Sequence, residues 1–288
     1  MVTRKYCEEI CEGYEYVENG EASDFVVRGK EDVFVLLCNE NASKATKRRI
    51  GIGSTLAKSI GAKLLVVARR LGSEELMDEV IYERYNAPVV TPETAKQLLE
   101  GEEVYVRKMK SMFIVEIDGK LLRERRLKSG MSIGAVAEAL GVSRKSVYEY
   151  ERGRSRVHVD IAIKLAELFG EDLIKPVNLE EFKGEELEVP PHTPMEARLL
   201  SETQSVHVAK GKVSLGGRFG NKEFAAVVPH GNKDDLSWFG RLSKLIKRKS
   251  IAIGFKDVPR ELEESSVEVV DDLQGFFKVL REEEELER

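Results

Sequence analysis

The stretch from Lys120 to Gly170 constrains the fold of this 288-residue chain more than any other part of its sequence. It divides into four segments with helical spacing, each followed by a glycine, which are 120–129, 133–140, 144–152 and 159–169. Ser132 and Ser143 stand directly before the second and third segments, where a serine hydroxyl caps a helix by accepting a free backbone N–H. Gly141 suits the sharp turn between these segments because glycine adopts a positive φ without steric cost. The pattern therefore predicts a bundle of short helices.

This pattern resembles the helix-turn-helix of the Cro/C1 phage-repressor family, also called the XRE type. Ala137 stands where that family needs a small residue so that two helices can approach, and Gly141 stands in the turn. The third helix ends in Glu-Arg-Gly at 151–153, as in the family. The resemblance implies a largely buried ion pair between Glu151 and Arg126 of the first helix. It also implies a buried apolar set, which is Val136, Leu140, Val142, Val147 and Tyr150.

The third helix carries the residues that this resemblance assigns to base contacts. The family lays that helix in the major groove, with its N-terminal residues on base edges. Arg144 and Lys145 suit the O6 and N7 acceptors of guanine, and Tyr148 suits an acceptor or a thymine methyl group. Phosphate would repel Glu149, so this carboxylate would accept from cytosine N4 or point along the groove. The expected base-contacting residues are Ser143, Arg144, Lys145, Tyr148 and Glu149.

Phosphate contacts are expected from the start of the second helix and from the loop after the third. Phosphate contacts from a helix N-terminal serine and from loop cations fix where a protein lies on the duplex. They do not read the sequence of the duplex. These residues are Ser132, Arg152, Arg154, Ser155 and Arg156. The alternative for each arginine or lysine is a solvated side chain.

The distribution of charge supports a polyanionic partner for this middle segment. The whole chain has a formal net charge of −5. Between Val104 and Arg156, however, 13 Lys/Arg stand against six Asp/Glu, which leaves the rest of the chain at −12. A basic segment between acidic flanks attracts phosphate, although a solvated basic face would have the same composition.

The sequence before the middle segment predicts an α/β unit with a mixed sheet. Two extended runs, 24–28 and 33–38, flank the turn 29–32 and predict a hairpin. The remaining predicted elements are a helix over 43–60, a buried strand over 64–68, short strands over 80–82 and 89–90, and a helix capped by Thr91 that ends at Gly101.

The last third of the chain repeats this order. Its predicted elements are extended runs around the turn 220–222, a helix over 235–249, strands over 251–255 and 267–270, and a helix over 273–281. Setting 64–68 against 251–255 brings the other elements into register at a spacing near 190 residues. We interpret the flanks as two copies of one module, with chance similarity of common α/β patterns as the alternative.

The fold class is therefore α/β plus all-α, with a central helix-turn-helix bundle between two similar small mixed-sheet modules. The segment from Lys175 to Met195 holds four prolines, which is typical of a linker. The expected divisions are an N-terminal α/β domain over 1–117, a helix-turn-helix domain over 118–176, a linker over 177–195 and a C-terminal α/β domain over 196–288.

The N-terminal pattern resembles the core of the restriction-endonuclease-like fold. That fold cuts DNA with a metal held by an Asp and by a Glu-x-Lys on the next strand, and Asp24 would be the first carboxylate. The next strand, 33–38, carries neither a carboxylate nor a lysine, and the matching strand 224–228 is equally bare. A hydrolytic metal site lacks its ligands there. We therefore expect no catalytic residue, no metal and no cofactor.

Three smaller features have competing interpretations. The GIGS stretch at 51–54 lacks the Lys-Ser/Thr ending of a phosphate loop, which favours a helix start or close packing. The basic clusters 44–49 and 244–249 either extend a DNA path or are solvated helix faces. Cys7 and Cys11 share a helix face and are expected to be buried thiols rather than metal ligands. An odd total of three cysteines does not suggest a disulfide framework.

As a whole the chain resembles a family of archaeal transcriptional regulators that carry a Cro/C1-type helix-turn-helix between α/β regions. The resemblance implies a sequence-specific regulator that binds double-stranded DNA as a homodimer on a pseudo-palindromic site. The alternatives are a DNA nuclease or restriction-modification-type enzyme targeted by the helix-turn-helix, and an antitoxin-like accessory DNA-binding subunit. The chain lacks a signal peptide and a membrane-spanning apolar run, which predicts a cytoplasmic protein without a membrane partner. The sequence does not indicate whether the protein binds a small-molecule effector.

Overall fold

The N-terminal unit, up to Leu99, has the mixed α/β structure that its apolar runs predict. The computed structural model describes residues 2–18, 23–154, 156–184, 187, 190–207, 213–228 and 233–286. The elements of this unit are α1 (Val2–Cys11), β1 (Glu15–Glu18), β2 (Phe25–Arg28), β3 (Val33–Cys38), α2 (Lys47–Ile60), β4 (Lys63–Val67), β5 (Arg70–Leu71), β6 (Glu74–Glu75), β7 (Val80–Arg84), β8 (Ala87–Val90) and α3 (Pro92–Leu99).

The sheet of this unit has the order β1-β2-β3-β4-β8-β7. β1, β2 and β3 are antiparallel, which confirms the hairpin, whereas β3, β4 and β8 are parallel. α1 and α3 cover one face and α2 covers the other, so both faces are buried. α2 begins four residues later than predicted, because Asn41 caps a separate 3-10 turn and Thr46 caps the helix. The GIGS stretch lies inside α2 and is buried, so it packs against neighbours and is not a phosphate loop.

The middle unit contains the four predicted helices and continues the same sheet. Its elements are β9 (Val106–Met109), β10 (Met112–Ile117), α4 (Gly119–Lys128), α5 (Ile133–Leu140), α6 (Arg144–Glu151), β11 (Val157–His158), α7 (Val159–Phe169) and β12 (Ile174–Lys175). β9 pairs with β7, β10 pairs with β9, and both β11 and β12 pair with β10. The helical bundle is therefore joined to the N-terminal unit by continuous strand pairing.

The C-terminal unit has the same strand order as the first five positions of the N-terminal sheet. Its elements are α8 (Pro194–Glu202), β13 (Gln204–His207), β14 (Leu215–Phe219), β15 (Lys222–Val227), α9 (Lys233–Leu245), β16 (Lys249–Ile253), β17 (Val267–Val270) and α10 (Leu273–Leu286). The order β13-β14-β15-β16-β17 contains two antiparallel pairs followed by two parallel pairs, as in β1-β2-β3-β4-β8. α9 connects β15 to β16 as α2 connects β3 to β4.

Individual hydrogen bonds repeat between the two units. The Asp24 backbone N–H donates to Leu36 O at 3.0 Å, and its carboxylate accepts from the Cys38 N–H at 2.6 Å. At positions 190 residues later, the Ser214 N–H donates to Ala226 O at 2.9 Å and its hydroxyl accepts from the Val228 N–H at 2.9 Å. The polar residue before the second strand therefore ties that strand to the third in both units.

The two α/β units pack directly against each other. α2 contacts β13 and β14 of the C-terminal unit, and α9 contacts β1 and β2 of the N-terminal unit in return. Trp238 on α9 is fully buried, and its indole N–H donates to Glu18 O at 2.6 Å. At Gly216 an added methyl group would lie 2.0 Å from Ser59 O, so this strand needs glycine for the close approach. One apolar core consequently contains residues of both units.

Part of the basic cluster 244–249 lies in this joint, whereas Lys244 is exposed on α9. α9 ends at Leu245, earlier than the predicted position 249, and the residues after it turn toward the N-terminal unit. Lys247 Nζ donates to Glu31 O at 2.9 Å, and Arg248 Nη1 donates to Lys58 O and Ser59 O at 2.8 Å. Burial lowers the pKa of the Arg248 guanidinium from its ordinary value. The other cluster, 44–49, spans the 3-10 turn and the start of α2.

Two further expectations differ from the structure. The segment 177–195 is not a free linker, because Phe182 is buried against the N-terminal unit and a capping box at Thr193 and Glu196 starts α8. The last helix extends to Leu286 rather than Arg281.

The cysteines are arranged differently from the expectation of free thiols. Cys7 of α1 and Cys38 of β3 form a disulfide, with their Cα atoms 6.4 Å apart, and Cys11 is the buried free thiol. The pair joins residues 31 positions apart, which places the bond between the helix layer and the sheet. Burial raises the pKa of Cys11 to about 12.

Among the described residues, no helix is both long and apolar enough to span a membrane.

Candidate nucleic-acid interface

Three local caps determine where the helices of the middle unit begin. The Asp118 carboxylate accepts from the Lys120 and Leu121 N–H groups at the start of α4. Ser132 and Ser143 accept the N–H groups of the third residues of α5 and α6, each at 3.0 Å. Gly141 adopts a φ of 70° between α5 and α6. These contacts give α6 a fixed start and a fixed angle to α5.

The inner face of α6 packs into the bundle as the resemblance implies. Val136, Leu140, Val147 and Tyr150 are buried in one cluster with Ala137, whereas Val142 is only partly buried. α4 passes close to the end of α6, because a methyl group on Gly119 would lie 2.3 Å from the carbonyl oxygen of residue 150. The sequence indicates the close approach of helices at Ala137 but not this one at Gly119, because a glycine at a helix start also suits ordinary capping.

Arg126 and Glu151 form the buried ion pair of the bundle. The Arg126 Nε donates to Glu151 Oε1, and Nη2 donates to Oε2 at 3.1 Å. The remaining nitrogen, Nη1, donates to Met131 O at 3.0 Å. Only 8% and 5% of the two side chains are exposed. The Glu151 carboxylate raises the pKa of the Arg126 guanidinium, which keeps the charge in place within the bundle.

The outer face of α6 is exposed and mostly cationic. Arg144, Lys145 and Tyr148 line one open groove together with Ser132, Ile133 and Gly134 of the α5 start. The Arg144 guanidinium lies over Gly134, where an added methyl group would come 3.0 Å from its Nε. Gly134 was not singled out in the sequence, because only the packed structure shows that a larger residue would displace Arg144. The structure thus brings the expected phosphate residue Ser132 next to three of the expected base-contacting residues.

The remaining candidates lie around this groove. The Ser143 hydroxyl hydrogen-bonds both the Ser146 N–H, as the cap of α6, and the Ser146 hydroxyl. Glu149 is half-buried. The Arg152 guanidinium stacks 4.5 Å from the ring centroid of Tyr148. Arg154 and Arg156 are exposed in the loop that leads into β11. Ser155 lies outside the described residues.

Asp24 of the N-terminal unit is paired with a cation. Its Oδ2 accepts from Arg49 Nη2 at 2.6 Å and from the Cys38 N–H at 2.6 Å. Asn39 is buried beside this pair, with its Oδ1 3.5 Å from Arg49 Nη1. Across the described ranges, no group of three His, Cys, Asp or Glu could hold a metal ion.

Two family models match this chain. A PD-(D/E)XK superfamily domain matches residues 6–104, and a helix-turn-helix matches residues 122–175. Over 256 residues the sequence is 32% identical to an Aeropyrum pernix protein named "Putative HTH-type transcriptional regulatory protein", which covers 84% of this chain and 78% of the relative. The chain belongs to this archaeal HTH-type regulatory family.

Other members of the HTH-type regulatory family match over a shorter stretch. The relative from Pyrococcus furiosus is 39% identical over 60% of this chain, and the one from Thermococcus kodakarensis is 40% identical over 55%. These alignments span 56% and 50% of the two relatives, about half of their length. The solved restriction-modification controller protein C.AhdI from Aeromonas hydrophila is 30% identical and covers 22% of this chain and 88% of its own, with a TM-score of 0.17.

Proposed function

We propose that the chain is a sequence-specific transcriptional regulator that binds double-stranded DNA with α6 in the major groove. The observation that carries this proposal is the division of α6 into two faces. Val147 and Tyr150 pack into the bundle and Glu151 pairs with Arg126 at the end of the helix, while Arg144, Lys145 and Tyr148 are exposed. Because the bundle already fixes this helix, its cations are in position for a DNA groove and binding does not have to order the helix first. We propose that this binding to DNA takes place in the cytoplasm.

Base contacts are assigned to the outward side chains of α6. Arg144 and Lys145 meet guanine O6 and N7, and Tyr148, oriented by the stacked Arg152, meets an acceptor or a thymine methyl group. Glu149 is half-buried, so it contributes at the edge of this surface, and Ser143 contributes chiefly as the cap of α6. A good bidentate base contact, such as Arg144 can make, discriminates by about 1–3 kcal/mol against the wrong base pair.

Phosphate contacts are assigned to the rim of the same surface. Ser132 lies at the N-terminus of α5, where backbone N–H groups and the helix dipole favour an anion. Arg152, Arg154 and Arg156 follow α6 on an exposed loop, and the proposal extends to Ser155 from its place in the sequence. These contacts fix the position of the protein on the duplex and make its binding sensitive to salt.

A homodimer on a pseudo-palindromic site is part of the proposal. A single α6 reads only a few base pairs, and two copies related by a two-fold axis would read two half-sites about one helical turn apart. The bundle also carries large apolar side chains on its surface, among them Leu127 on α4 and Ile163 on α7, which are 59% and 50% exposed. Sedimentation equilibrium tests this part of the proposal: a dimer is expected, and a monomer at micromolar concentration would contradict it.

We further propose that the N-terminal unit does not cut DNA, although its family model is that of a nuclease superfamily. The Asp24 carboxylate is already neutralised by Arg49 and tied to the Cys38 N–H. In the C-terminal unit the equivalent position is a serine, Ser214, which has no charge to offer a metal. Supercoiled plasmid incubated with the protein in Mg²⁺ or Mn²⁺ should stay intact. Metal-dependent nicking that disappears in an Asp24→Ala variant would overturn this part.

Selection of bound duplexes from random DNA tests the proposed function as a whole. The account predicts a short enriched motif with two-fold symmetry, protected from chemical cleavage in the major groove of each half-site. Enrichment of no motif, together with equal binding to unrelated duplexes, would overturn sequence-specific recognition. Lys145→Ala serves as the matched variant, because it removes one exposed cation from α6 and leaves the bundle core unchanged.

A further inference from the structure

We propose that the β9–β10 hairpin is a second DNA-binding element, whose tip at Lys110 contacts the phosphate backbone beside the segment that α6 reads. The inference rests on the proposed function and adds to it a surface outside the helix-turn-helix. The hairpin precedes α4 directly and belongs to the sheet that joins the bundle to the N-terminal unit.

The base of the hairpin is rigid because its two cations are already engaged. Arg107 Nη2 pairs with Glu83 at 2.6 Å, and its guanidinium lies 4.3 Å from the ring centroid of Phe182. Lys108 pairs with Glu74, and its ammonium lies 5.1 Å from the ring centroid of Phe113. These cations orient the hairpin and are not available to a polyanion.

The tip of the hairpin is different. Lys110 is exposed, and the described part of the chain offers it no hydrogen bond and no ion pair. Its φ of 54° lies in the left-handed region, which an unbranched lysine side chain adopts at some cost where asparagine or glycine would fit more easily. Ser111 and Met112 next to it are also exposed, Met112 by 52%. The tip therefore combines a free cation, a hydroxyl and an apolar side chain at the end of a fixed arm.

A side-chain contact connects this tip with the basic loop after α6. β11 follows that loop and pairs antiparallel with β10, with Val157 opposite Val115, so the loop itself lies toward the base of the hairpin. The Arg156 side chain extends from there, and its guanidinium contacts the Met109 sulfur, one residue before Lys110. Arg156 and Lys110 therefore carry exposed positive charge next to Met109, and Arg152 and Arg154 are exposed cations earlier in the same loop. Cations arranged in this way match phosphates along one strand of a duplex.

The test measures affinity and its salt dependence on the duplex selected by the parent protein. Lys110→Asn removes the charge and suits the left-handed conformation, so the hairpin should keep its shape. Loss of one phosphate contact should lower affinity about fivefold at 0.15 M salt and reduce the slope of log K against log salt by about one. Lys110→Glu should lower affinity further. Selectivity among single-base variants of the site should be unchanged, since a phosphate contact carries no sequence information.

Lys256→Asn is the matched control, because Lys256 is an exposed lysine of the C-terminal unit. Affinities and slopes of both Lys110 variants equal to those of the control would overturn the hairpin contact while leaving recognition by α6 intact. Failure of the parent to bind any duplex specifically would overturn the proposed function instead. A change in base preference in Lys110→Asn would also contradict the inference, since the tip would then contact base edges.

Discussion

Arg126 and Glu151 join the first and third helices of the bundle through a two-point ion pair that is almost entirely buried. The pair holds the C-terminal end of α6 against α4, and Arg126 also lines the groove that Arg144, Lys145 and Tyr148 form. A buried charge that keeps its partner and its hydrogen bonds is tolerated, whereas a buried charge that loses its partner is strongly destabilising. The orientation of α6 therefore depends on this contact.

Replacement of Glu151 by Gln should destabilise the bundle. Arg126 would then be a buried cation without a counter-charge, which costs about 3–5 kcal/mol. Amide hydrogen exchange of α4, α5 and α6 measures the effect directly, because it reports local opening in a chain with several units. The double variant Arg126→Leu/Glu151→Leu is the control, and it should recover most of the loss. Exchange in Glu151→Gln at parental rates would show that the pair does not stabilise the bundle.

Replacement of Arg248 by Ala should loosen the joint between the two α/β units. The variant leaves the carbonyls of Lys58 and Ser59 without their donor, at a cost on the order of 2 kcal/mol. Trp238 is the single tryptophan and is buried in this joint, so its fluorescence reports the change. We expect red-shifted emission and a lower denaturation midpoint. Arg198→Ala in the same unit removes only a surface i,i+4 pair and should change stability by about 0.3–0.5 kcal/mol. Equal effects of both variants would contradict this role of Arg248.

The three cysteines should differ sharply in reactivity. Native protein should react with no thiol reagent at pH 8, because Cys11 is buried with a pKa of about 12 and thiolate is the reactive form. Unfolded but unreduced protein should show one thiol, and unfolded, reduced protein should show three, since Cys7 and Cys38 form the disulfide. Mass spectrometry of alkylated protein counts them. Three thiols in unfolded, unreduced protein would exclude the disulfide.

The helices of the middle unit were predictable almost to the residue because their ends are local. Serine caps and glycines lie beside the helices that they delimit, as at Ser143 and Gly141. The family pattern added Arg126 and Glu151, which are 25 residues apart and which no helical period connects. The order of strands and helices along each flank also followed from short apolar runs and turns.

Contacts between distant segments were not predictable. The helix predicted over 235–249 is too long because Lys247 and Arg248 look like a continuation of its basic face. In the structure they instead donate to carbonyls of the N-terminal unit, Lys247 to Glu31 O and Arg248 to two carbonyls of α2. Cys7 and Cys38 lie on different elements, and spacing alone does not pair them. The β9–β10 hairpin has Lys110 where a turn with positive φ ordinarily has glycine or asparagine, so the usual turn signal is missing.

The most direct test of the central claim is the binding of Arg144→Ala to the selected duplex and to its single-base variants. If α6 reads the major groove, the variant should lose on the order of 1–3 kcal/mol at one base pair and relax selectivity at that position. The other positions of the site should keep their preferences. Binding that is as tight and as selective as that of the parent at every position would show that α6 is not the reading helix.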